Sequence, residues 1–305
     1  MSFERAKARQ FLDLGSNAGG VFVLELLAFI LVGAILLYAS FTDMRTTEVP
    51  DWLTHGGIAA GVLLHIVMAI LAASWTPIID GALGLGVFVA VGYLMYYTGQ
   101  WGGGDSKILM AVGSLLGLQF NLAHPMVAFI INVLLVGALY GLGWTFFLAI
   151  KHRHAFAKHY ENVRCEHVFK QIRLASYGAL ALFAVVAFFV DDLLLRLIVL
   201  LIGVLIPFLA QMTLFIKAVE KCMVRRATPS QLMEGDWIVK DVVVAGKKMA
   251  GPSDLGISLA QIKTLQKLSK RRKITLLVKD GIPFVPSFLI AFVMTLLIGN
   301  PVLLF

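Results

Sequence analysis

Eight apolar runs dominate this chain and leave it few ways to fold: residues 21–40, 56–73, 78–97, 106–118, 126–150, 174–190, 193–216 and 282–298. A bilayer core about 30 Å thick needs roughly 20 apolar residues per helix. Backbone N–H and C=O groups must be paired inside hydrocarbon, so such runs are helices. The fourth run is the shortest. Only 14% of the 305 residues are charged, against about 25% in soluble domains. The expected fold is therefore an α-helical polytopic membrane protein with about eight transmembrane helices. The first run is too long for a signal peptide and leads into charged sequence rather than a small-residue cleavage site.

Basic residues set the expected orientation, since short cytoplasmic loops are enriched in Lys and Arg. With eight crossings both termini share a side. Arg45, Lys107, the basic residues of 151–173 and those of 217–279 lie on the other, which collects 22 of the 26 Lys and Arg. The termini are thus expected outside the cell membrane and Arg45 and Lys107 at the cytoplasmic face. That shared side depends on the fourth run crossing. The net charge of +8 is mostly this bias and gives no support to nucleic-acid binding. The basic run at 270–273 reads as an anchor to anionic membrane lipid.

Five segments follow along the chain: 1–20, an extracytoplasmic lead; 21–150, a transmembrane core; 151–216, a connector with two further spans; 217–280, a small cytoplasmic α/β domain; and 281–305, the last span. In the polar domain, 236–246 alternates and is rich in β-branched residues, as a strand requires. Residues 258–273 have apolar positions at helical spacing, and Ser258 with Gln261 fits a capping box. Residues 274–279 return as strand.

The residues with chemistry in them are carboxylates at the cytoplasmic edge. Asp43 ends the first run, and Asp105 opens the fourth behind three glycines in "GQWGGGDSK", residues 99–107. Ionisable groups near membrane depth are costly and tend to be functional. Two facing carboxylates share a proton, so one can activate water while the other donates to a scissile carbonyl. A solvated loop charge is the plainer reading of either acid alone.

The pairing of "TDMRTTEVPDWLT" (42–54) with "GGGDSK" (102–107) resembles the GxGD-type prepilin and preflagellin peptidases, membrane aspartyl proteases that remove short leaders from type IV pilin-like precursors. The resemblance implies Asp43 and Asp105 as the catalytic dyad, with Gly102 and Gly104 as motif glycines. "VKDGIPFVPSFLIAF" (278–292) is similar to the segment opening the last span of archaeal members. The implied partners are precursors whose short basic leader precedes an apolar helix. Bacterial members commonly carry paired CxxC motifs. Cys165 and Cys222 form none, so no zinc, other metal or cofactor is expected and the archaeal branch is the better fit. Presenilin-type proteases pair GxGD with Tyr-Asp, whereas Thr42 precedes Asp43 here.

Several neighbours have two readings. Asp51 is either the N-cap of the second span or, with Glu48, Glu234 and Asp236, an acid that meets the basic leader. Lys107 is a positive-inside anchor or a substrate contact; it stands two residues from Asp105, too near along a helix to face it. Pro283 and Pro286 bracket Phe284 and deprive the backbone of donors. "GIPFVP" is thus either the start of a helix or irregular backbone lining a substrate cavity. Glu25 reads as structural, His65 as a packed polar residue, and the histidines at 152, 154, 159 and 167 lack partners for a metal shell.

Two other functions fit membrane aspartates. An ion- or proton-coupled transporter places them near the midplane, usually within repeats; here they gather at one face without a repeat. A polyprenyl-phosphate transferase needs clustered acids around Mg²⁺, but the adjacent pair Asp191–Asp192 falls on the outer side.

Overall fold

The computed structural model describes residues 2–244, 247–254, 256–270 and 274–304. Ten helices are traced among them: α1 (Ser2–Thr46), α2 (Asp51–Ala72), α3 (Thr76–Tyr97), α4 (Gly103–Leu116), α5 (Pro125–Lys151), α6 (Arg153–Cys165), α7 (His167–Phe188), α8 (Leu193–Cys222), α9 (Leu259–Ser269) and α10 (Val285–Ile298). Five strands join them: β1 (Val224–Ala227), β2 (Trp237–Ile238), β3 (Val242–Val244), β4 (Lys247–Ala250) and β5 (Leu276–Lys279). The protein is a polytopic helical membrane protein with a small strand-containing region before its last helix. Among the described residues, seven helices are long and apolar enough to cross a membrane.

The sequence pattern counted eight crossings, and the difference lies in α4. Its 14 residues extend about 21 Å at 1.5 Å per residue, short of a hydrocarbon core about 30 Å thick. The chain nevertheless travels the length of α3. Gly113 packs directly on Gly84, and beyond the helix the Leu118 N–H donates to the Asp80 carbonyl, near the start of α3, at 2.8 Å. A buried helix can be short because its ends meet protein rather than lipid. Ile108, Leu109, Ala111 and Val112 are all 0% exposed.

The chain divides into two units, 1–141 with 281–305, and 142–280. In the first, α4 is the axis, with α1, α2 and α3 packed around it and α10 against α1 through Phe29 and Phe292, whose rings lie 6.3 Å apart. Glycines allow the closest approaches. A Cβ on Gly61 would stand 2.5 Å from the Ser114 backbone. At the end of the unit away from the α1–α2 turn, Asn132 Nδ2 donates to Thr295 Oγ1 at 3.0 Å and Asn300 Nδ2 to the Leu122 carbonyl at 2.7 Å. These tie the α5 start to the α10 end. His65 is 7% exposed and is wedged against Gly81 and Gly117, the packed polar position expected of it. Glu25 is exposed.

In the second unit α7 and α8 pair, with Phe183 seated against Gly203. Amphipathic α6 lies on α8 through Phe156 and Phe215, 5.2 Å between centroids. The strands form a three-stranded antiparallel sheet, β1-β5-β2, and a separate β3–β4 pair. A core of Leu232, Ile238, Ile262, Leu265, Leu276 and Val278 holds sheet and α9 together. The α9 capping box is present: Gln261 N–H donates to Ser258 Oγ at 3.3 Å, and Ser258 N–H to Gln261 Oε1 at 2.8 Å. The alternating stretch at 236–246 breaks into β2 and β3 instead of one strand, and residues 245 and 246 lie outside the described ones. So do residues 271–273 of the basic run expected to contact lipid.

Candidate active site

Asp43 sits in the last turn of α1, where its carbonyl accepts the Thr47 N–H at 2.8 Å and Thr47 turns to φ 54°. The helix therefore stops at a fixed point just beyond the acid. Its side chain is only 4% exposed. One oxygen, Oδ2, accepts the Val285 N–H at 3.0 Å. That amide is the first of α10, one of the donors a helix N-terminus leaves unpaired. A carboxylate from another helix thus caps α10, favoured also by the positive end of the helix dipole.

Asp105 is the third residue of α4. Its Oδ2 reaches back to the Gly102 N–H at 3.0 Å, so the acid caps its own helix. Ser106 Oγ donates to the Gly92 carbonyl at 3.0 Å and fixes this first turn to α3. Gly104 lies against Val49 in the α1–α2 connection; a Cβ there would stand 3.3 Å from Val49 Cβ. That close approach brings the start of α4 beside the end of α1. Asp105 is half-buried and feels the charge of Asp43. Two carboxylates so placed, both anchored by backbone N–H groups, can share a proton.

The remaining candidates separate. Lys107 Nζ pairs with Asp51 Oδ1 at 2.6 Å, with the two side chains 45% and 65% exposed. Asp51 is not the N-cap of α2: Pro50 holds that position, without any side-chain cap, and Asp51 is the first helical residue. Glu48 is exposed on the α1–α2 connection. Glu234 and Asp236 serve turns in the second unit, accepting the Leu259 and Met233 N–H groups at 3.4 and 2.9 Å. At the entry to α10 the helix begins at Val285, with Pro286 in its first turn and residues 281–284 irregular. The stretch "GIPFVP" is therefore irregular backbone that leads into a helix start.

Sequence reasoning missed what packs around that entry. The Phe284 ring is contacted by Trp101, Tyr140 and Phe288, with centroids 6.4, 6.1 and 5.4 Å away. Tyr140 Oη donates to the Pro283 carbonyl at 2.9 Å. Gly137 makes room for the ring, its Cβ direction meeting Phe284 Cζ at 3.1 Å. The signal available was the pair Gly137 and Gly141, four apart and flanking Tyr140 on α5. No group of His, Cys, Asp and Glu able to hold a metal exists among the described residues.

Fold and site together define a multi-pass membrane protein with two neighbouring carboxylates at one end of its helices. Residues 30–142, which carry both, match the type IV leader peptidase family. Among similar proteins, prepilin peptidase EppA of Methanothermobacter thermautotrophicus is 35% identical over 101 residues, 33% of this chain and 26% of that protein. The preflagellin peptidase of Methanococcus voltae is 35% identical over 81 residues, 27% of this chain and 34% of its own. That of Methanocaldococcus jannaschii is 29% identical over 105 residues, 34% of this chain and 44% of its own. The resemblance to archaeal prepilin and preflagellin peptidases read from the two aspartate motifs is borne out. The chain spans between about a quarter and under a half of the length of these relatives. No solved structure matches it.

Proposed function

We propose that this protein is a membrane-embedded aspartyl endopeptidase that removes the leader of type IV pilin-like precursors at the cytoplasmic membrane face. The observation carrying this reading is that Asp43 and Asp105, from helices α1 and α4, lie near enough for their charges to interact, inside the segment that matches the leader peptidase family. The ionised carboxylate of the pair takes a proton from water as that water attacks the scissile carbonyl. The protonated one donates to the carbonyl oxygen, giving a tetrahedral diol. As the C–N bond breaks, the first carboxyl passes the proton it took from water to the leaving nitrogen, and the diol returns a proton to the second, which restores the pair. A cleavage site at the membrane edge admits that water while the apolar helix of the precursor stays in lipid.

Gly102 and Gly104 let Asp105 lie close to backbone. Glu48, Asp51 and Lys107 line the edge that a basic leader approaches, and Pro283, Phe284 and Pro286 form the segment beside Asp43. The bias of basic residues toward the connecting segments supports a cytoplasmic position for this edge, beside anionic lipid. The termini lie on the opposite side if α4 counts as a crossing.

The test is cleavage of a leader-bearing pilin-like precursor in membranes by wild type, Asp43→Asn and Asp105→Asn. Each replacement keeps shape and hydrogen-bond acceptor but removes the titrating proton, so each abolishes processing at normal protein level. A variant that still cleaves excludes its aspartate from the pair. A wild type that cleaves none of several such precursors overturns the reading.

A further inference from the structure

Asp43 is held by a chain of contacts that ends on Tyr140. Val285 gives its N–H to Asp43 Oδ2 at 3.0 Å. Two residues back, the Pro283 carbonyl accepts from Tyr140 Oη at 2.9 Å. Between them, Phe284 is clamped by Trp101, Tyr140 and Phe288 and rests on Gly137. The Phe284 carbonyl accepts from both N–H and Oγ of Ser287, at 3.0 and 2.7 Å. Every contact lies within the first unit. Tyr140 is also close enough to feel the charge on Asp43.

The arrangement is asymmetric. Asp105 takes its N–H from Gly102, on the same short loop and helix, so its anchor travels with it. Asp43 takes its N–H from a segment 242 residues away in sequence, whose residues 281–284 precede the helix and are irregular. Pro283 in this stretch and Pro286 just after it further remove donors. The first turn of α10 fixes Val285 from one side, and the hydroxyl of Tyr140 holds the irregular backbone before it from α5.

We infer that Tyr140 is a positioning residue: through the Pro283 carbonyl it aims the Val285 N–H at Asp43 Oδ2 and so holds that carboxylate where it can meet a water and a proton shared with Asp105. As a role in catalysis this rests on the peptidase reading; as a mechanical latch it does not. Holding a reacting carboxylate in place acts on the chemical step, because the contacts of Tyr140 run to the segment that anchors Asp43.

The experiment is hydrogen exchange on the full chain in lipid nanodiscs, comparing wild type, Tyr140→Phe, Asp43→Asn and Asp43→Ala, with cleavage kinetics for wild type and Tyr140→Phe. Residues 282–287 contain two prolines, so few amides report there and Val285 is resolved. The expected result for Tyr140→Phe is exchange at Val285 about tenfold faster, with protection across the α4 core unchanged. With it, kcat falls on the order of tenfold while KM stays within about twofold. Asp43→Ala frees the same amide and Asp43→Asn, which keeps an acceptor oxygen, does not. Unchanged Val285 exchange in Tyr140→Phe overturns the latch, and a raised KM with kcat intact overturns its role in catalysis. If wild type cleaves no precursor, the peptidase reading falls while the exchange arm still decides the latch.

Discussion

Replacing each of three consecutive glycines by alanine tests how the site is built, because the structure assigns them different fates. A Cβ on Gly103 meets nothing closer than Tyr96 Cε2 at 3.8 Å, an ordinary contact. At Gly104 it would lie 3.3 Å from Val49 Cβ and 3.4 Å from the Val49 backbone N; at Gly102, 3.3 Å from Asp105 Oδ2. Gly102 has φ −69° and ψ 164°, open to alanine, so space decides and backbone strain does not. Alanine at 103, in the first turn of α4, stabilises by about 0.4–1 kcal/mol through the unfolded chain and leaves cleavage within about twofold of wild type. Alanine at 104 gains similarly in stability but pushes α4 off the α1–α2 connection by a few tenths of an ångström. At 102 it pushes the Asp105 carboxylate itself. Since a misplacement of about 1 Å can cost 10²-fold, these displacements lower kcat on the order of tenfold, about 1.4 kcal/mol in the barrier. The assay is precursor cleavage in membranes beside thermal unfolding in detergent. If alanine at 103 is as damaging as at 102 or 104, or if Gly102→Ala keeps full activity, close approach is not what these glycines provide.

Two further outcomes follow from packing and charge. Gly61→Ala drives a Cβ to 2.5 Å from the Ser114 backbone, with no flexible side chain to yield, so α2 and α4 must part; thermal unfolding should show about 1–3 kcal/mol of destabilisation. In the second unit, burial pushes the Asp236 carboxyl above its ordinary value and the Asp280 charge adds to this, while the Met233 N–H and the Arg225 guanidinium oppose it. A carboxyl raised on folding binds its proton more tightly when folded, so its contribution to stability falls as pH rises from the unfolded value into the raised range. Asp236→Asn should therefore protect the α9 and sheet amides better at neutral pH, with the advantage vanishing below about pH 3.8; an advantage that persists in acid would refute the assignment.

The sequence by itself determined the class of fold, because hydrocarbon tolerates only apolar helices and the runs that satisfy it can be read residue by residue. It also placed both carboxylates, since a charge at the end of such a run stands out, and it gave the α9 cap, since Ser258 and Gln261 act within one turn. Tertiary structure decided the rest. Whether 14 residues count as a crossing depended on α4 being surrounded by protein, which no local pattern records. Asp51 paired with Lys107, 56 positions away, instead of capping its own helix. The donor to Asp43 is a backbone amide, invisible to any reading of side chains, delivered by α10 and steadied by a tyrosine on α5. Local interactions are written in neighbouring residues, whereas these contacts exist only because distant helices are packed together by glycines that let them approach.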